Sequence, residues 1–99
     1  MPYIKQTQRD ILIPQIANLV DTLRDNFEED EIEGALNYTV SRVVAGTLQQ
    51  SEGQWRYYLI NRALGVLEAV KLEFYRRVAG PYENKAVYKN GDINEYHYF

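Results

Sequence analysis

The chain has no cysteine. That excludes a disulfide frame and any thiolate metal site. It has a single histidine, His97, near the end of the chain and with no serine or cysteine nucleophile signature to serve. A catalytic role for His97 is not expected. There is no glycine-rich phosphate loop and no zinc-ligand spacing. No motif implies a cofactor, and none marks a catalytic residue. No apolar run approaches about 18 residues, so no membrane span is expected. The first residues, MPYIKQTQRD, lack the apolar core of a signal peptide, which makes the cytoplasm the expected location. Basic residues do not dominate: 11 Lys and Arg stand against 14 Asp and Glu, for a net charge of −3. Binding to generic duplex DNA depends on a basic field and is argued against. A local basic pocket for a small anion is not.

What is present points to a single helical domain spanning residues 1–99. Hydrophobic content is 45% and charged content 25%, the balance of a folded rather than a disordered chain. Ninety-nine residues bury only a modest fraction of their surface. Nine tyrosines are the oddity. Their apolar ring and polar tip suit interfaces.

Ile13, Ile16, Leu19, Val20, Leu23 and Phe27 recur at helical spacing. With Pro14 placed in its first turn, a helix is expected over about 14–27, after one short turn at Gln6–Leu12. The run EEDEIEG supplies acid to the positive end of a second helix, with Asp30 as its N-cap. Ile32, Leu36, Val40, Val43, Thr47 and Leu48 stripe that helix over about 31–49. The third and longest, about 54–79, carries Trp55, Leu59, Ala63, Val66, Leu67, Val70, Phe74 and Val78. Its apolar surface is broader than one partner helix covers, which implies a central position and completion by a second subunit. Gly80-Pro81 is expected to stop it. The tail, 81–99, carries an Asn90-Gly91 turn signal and is expected as a hairpin or an extended arm, with the Tyr96–Phe99 end docked. The fold class is therefore all-α: three helices and an arm.

The candidate site is a polar seam on the second and third helices. Asn37, Ser41 and Arg42 fall within about a turn of each other. Asn61, Gly65, Glu68, Leu72 and Arg76 share one face of the third helix. Gly65 costs about 1 kcal/mol against alanine in a helix, and would let a helix or ligand approach. In the functional reading, Asn37, Arg42, Asn61 and Glu68 orient a ligand, while Lys71, Arg76 and Arg77 engage an anion and Tyr82 closes over it. In the other reading these are interhelical bonds and a solvated face, with Glu73 and Arg77 as a surface pair. Tyr57, Tyr58, Tyr75 and Tyr82 could stack on a base or bury against a partner. Glu28, Glu31 and Glu68 could hold magnesium for nucleotide hydrolysis. That chemistry needs a second carboxylate pair, and the third helix offers Lys71 three residues after Glu68.

Four motifs carry a resemblance. They are LNYTVSR (Leu36–Arg42), NRALGVLEAVKLEFYRRV (Asn61–Val78), PYENK (Pro81–Lys85) and NGDI (Asn90–Ile93). Together they resemble a family of small uncharacterised helical proteins associated with tailed phages and with bacterial and archaeal genomes, a domain of unknown function. The resemblance runs from Tyr3 to about Ile93, and the NEYHYF tail departs from it. It supplies no catalytic residues. Its setting implies counter-defence work: sequestering a nucleotide signal, or blocking a host protein. A non-enzymatic homo-oligomer that binds a phosphate-bearing small molecule or a host protein is the leading expectation. A structural scaffold and a metal-dependent nucleotide hydrolase are the alternatives.

Overall fold

The computed structural model describes residues 2–49 and 53–97. Every regular element among them is helical: α1 (Gln6–Asn26), α2 (Ile32–Leu48), α3 (Tyr57–Phe74), a π-helical turn (Tyr75–Ala79), α4 (Gly80–Asn90) and a 3-10 turn (Asn94–Tyr96). The fold is all-α, as the periodicity requires. The chain divides into two units, Pro2–Gly65 and Val66–Phe99. The division falls inside α3, which is one unbroken helix.

In the first unit, α1 starts earlier than expected. The Lys5 amide donates to Gln8 Oε1 at 3.2 Å, and Arg9 Nε donates to the Ile4 carbonyl at 2.7 Å. These bonds hold the first turn, and the helix runs straight through residue 14. Pro14 therefore stands inside α1, not in its first turn. Interior proline removes one backbone bond and crowds the carbonyl four residues back, at a cost of about 3 kcal/mol. The first-turn bonds and the packing of α1 on α2 oppose that cost.

The expected cap of α2 also shifts. Glu31, not Asp30, occupies the N-cap position. Its carboxylate accepts the Glu28 amide at 2.9 Å, which ties the acidic connection into a turn. Ile16, Leu19 and Val20 of α1 face Leu36, Val40 and Val43 of α2 across an open apolar groove. Leu59, in the first turn of α3, is the one buried side chain among the described residues. The polar connection after α2 lies partly outside them.

In the second unit, Gly80-Pro81 does not stop the helix. The Gly80 amide donates to the Tyr75 carbonyl, five residues back, so the chain widens into one π turn. The wider turn takes in a proline ring that an α turn would drive against the carbonyl four residues back. Beyond it α4 continues to Asn90, where a hairpin or extended arm was expected. Asn90-Gly91 serves as the helix end. Gly91 has φ +91°, a conformation open to glycine alone, and its amide donates to the Val87 carbonyl at 2.8 Å. Tyr96 closes the short 3-10 turn and remains exposed. The rest of the expected docking end, Tyr98 and Phe99, lies outside the described residues.

Candidate functional site

The expected seam is divided between the two units. Asn37, Arg42 and Asn61 belong to the first; Glu68, Lys71, Arg76, Arg77 and Tyr82 belong to the second.

On α2, the helical repeat puts Tyr38 and Arg42 on one face, four residues apart. Arg42 Nη1 donates to Tyr38 Oη at 2.8 Å. The guanidinium carbon lies 5.7 Å from the centre of the Tyr38 ring, within the range of a cation–π contact. One arginine thus engages both the edge and the face of one tyrosine. Ser41 Oγ donates to Asn37 Oδ1 at 3.4 Å, a long bond. Asn37, Arg42 and Asn61 are all exposed.

On α3 and the π turn, the cations meet acids of their own helix. Lys71 Nζ lies 3.2 Å from Glu68 Oε1. Arg76 Nη2 donates to Glu73 Oε1 at 2.6 Å. Both are i,i+3 pairs, but their settings differ. Glu68 and Lys71 are exposed, whereas the Glu73 side chain retains only 16% of its accessibility. Arg77 lies within the π turn and Tyr82 in the first turn of α4. Tyr75 and Tyr82 are 59% and 72% exposed, so both rings are open to a stacking partner. Lys71, Arg76 and Arg77 fall within two turns of each other, and this short span is the densest concentration of positive charge in the chain.

Glycine at 65 is not required by any neighbour. A β-carbon there would meet nothing within 4 Å. The close approach expected at this position does not occur within the chain.

The carboxylates of the hydrolase alternative do not converge. Among the described residues, no three His, Asp or Glu side chains are grouped as metal ligands. Glu31 instead binds the backbone at Glu28.

The seam expected from the sequence left out the apolar surface. Ile16, Leu36, Val43, Val66, Val70 and Phe74 are each more than half exposed. The stripes predicted these positions as helix faces to be buried, but a stripe does not say whether its own chain buries it. No helix among the described residues is long and apolar enough to cross a membrane.

A family model described as a domain of unknown function, DUF6899, matches residues 1–93. The chain belongs to that family. A search of curated proteins and a search of solved structures each found no match.

Proposed function

We propose that this DUF6899 protein is a non-enzymatic binding protein that works as a homo-oligomer. One observation carries the reading. Leu59 is the one buried side chain among the described residues, while apolar side chains on α1, α2 and α3 stand exposed. Extended apolar surface of this kind marks association, and helical subunits that complete each other's cores often have no stable folded monomer.

The ligand class that fits the cation-rich span is a phosphate-bearing small molecule of the nucleotide type, sequestered rather than turned over. Lys71, Arg76 and Arg77 would meet its phosphates, and Tyr75 or Tyr82 would stack on its base. The present ion pairs do not forbid this. Exposed i,i+3 pairs are worth only tenths of a kcal/mol. Charge-assisted bonds from a guanidinium fork to phosphate are stronger and directional.

The pairing of Lys71 and Arg76 with their own acids favours a second reading, in which the oligomer is a scaffold or a blocker of another protein. Native mass spectrometry with and without a pool of cellular nucleotides separates the two. A discrete oligomer with a reproducible added mass, lost in Arg76→Ala/Arg77→Ala, supports sequestration. A clean oligomer without added mass moves the assignment to scaffolding or protein blocking. A monomer at all concentrations overturns the proposal.

A further inference from the structure

We infer that the apolar groove between α1 and α2 of one copy is filled by the α3 stripe of a second copy. This rests on the self-assembly reading above and specifies its interface.

The groove is lined by Ile16, Leu19, Val20, Leu36, Val40 and Val43 and encloses about 240 Å³ while remaining open to solvent. It is open although the first half of α3 belongs to the same unit. The ridge to fill it is on the same chain. Val66, Leu67, Val70 and Phe74 lie within about 100° of arc on α3 and are 39–64% exposed. A groove and a ridge, both apolar and both uncovered, are the two halves of a helix-in-groove interface.

Area supports a second copy as the occupant. A monomeric protein of 11.6 kDa exposes about 5,800 Å² by the scaling of surface with mass. This chain exposes 9263 Å². The excess, about 3,400 Å² per copy, is several times the roughly 800 Å² that one partner buries in a standard interface, and lies in the obligate class.

Charge supports the same pairing. From Pro2 to Gln49, which contains the groove, there are eight acidic and four basic residues. From Tyr57 to Asn90, which contains the ridge, there are six basic and three acidic. Opposite net charge on the two surfaces favours groove against ridge over groove against groove. Each copy carries one of each, so a reciprocal exchange closes as a two-fold dimer with no ridge left over.

The absence of cysteine makes the test direct. Val43→Cys in the groove and Val70→Cys on the ridge are made as two single variants of different tag mass. Each chain then has one thiol, and any disulfide joins two chains. The variants are unfolded together, refolded and oxidised, with assembly followed by light scattering. The expected result is a mixed Val43→Cys/Val70→Cys disulfide in several-fold excess over either homodisulfide. The pair Thr39→Cys and Leu67→Cys repeats the test if either variant misfolds. An oligomer with no excess of mixed disulfide overturns this interface and leaves self-assembly standing. A monomer overturns both. A double variant that closes its own disulfide at monomer mass also overturns the interface, since the groove then takes its own helix.

Discussion

A β-carbon on Gly80 would stand 3.2 Å from the carbonyl oxygen of Tyr75. The same carbonyl accepts the Gly80 amide, so the bond that makes the π turn also fixes the approach of the two backbones. Glycine permits it, and Pro81 follows at once. The opening of the turn at Tyr75 and the loss of a donor at Pro81 are two sides of one local solution.

Alanine at the two α3–α4 glycines should therefore act differently. Gly65 has open space around it, and Gly65→Ala should stabilise by up to about 1 kcal/mol through helix propensity. Gly80→Ala should give less or a net loss, because its β-carbon crowds a backbone atom that cannot swing away. Chemical denaturation of the two variants side by side measures the difference. Equal gains would mean that the π turn has no fixed geometry.

Pro14 is inside a helix that continues on both sides. Pro14→Ala restores a backbone donor and removes a clash, and should stabilise by about 1–3 kcal/mol. The helical circular dichroism signal should be unchanged or slightly increased. A loss of stability would show that the helix start belongs at residue 14 and that the proline sets it.

Surface substitutions ordinarily change stability by less than about 0.5 kcal/mol. Val43 and Val70 are 55% and 60% exposed in the single chain, yet Val43→Asp or Val70→Asp should abolish the oligomer and unfold the protein at micromolar concentration. Tyr88 is 95% exposed, and Tyr88→Asp should change neither property. In the parent protein the melting temperature should rise with protein concentration, as mass action requires when folding and assembly are linked. A concentration-independent melt would count against assembly.

The two acid–base pairs on α3 should differ in strength. Glu68→Gln removes an exposed pair and should cost less than about 0.5 kcal/mol, an amount that fades in 1 M salt. Glu73 is largely covered and holds Arg76 at 2.6 Å. Glu73→Gln should cost on the order of 1 kcal/mol and keep most of that cost in salt. Denaturation at low and high ionic strength distinguishes the two.

Tyr38 and Arg42 provide a local reference for the polar seam. Tyr38→Phe keeps the ring beneath the guanidinium and removes the hydroxyl acceptor. It should cost about 0.5–1.5 kcal/mol at most. Arg42→Ala removes both contacts and should cost more, which a double-mutant cycle resolves.

Much of the helical framework was legible in the sequence because helical periodicity is a local property. Ile16, Leu19, Val20 and Leu23 mark α1, and Leu36, Val40 and Val43 mark α2, by spacing alone. The misread positions were proline and glycine signals. Pro14 and Gly80-Pro81 look like helix boundaries because their donor loss and conformational freedom are usual at helix ends. In this chain one is carried by a helix already begun at Lys5, and the other by a wider turn. Asn90-Gly91 was read as a hairpin, but the same positive φ that makes a turn also ends a helix.

By itself the sequence determined that this chain is helical, where its apolar stripes run, and that it has no thiol chemistry. Those properties follow from residue type and near-neighbour spacing. Only the tertiary structure decided that Lys71 and Arg76 spend their charge on Glu68 and Glu73, that nothing crowds Gly65, and that the stripes of α1, α2 and α3 remain largely uncovered by their own chain. Each of these depends on which side chains or surfaces meet in space, and hydrophobic burial in particular is set by distant partners that spacing along one helix does not identify.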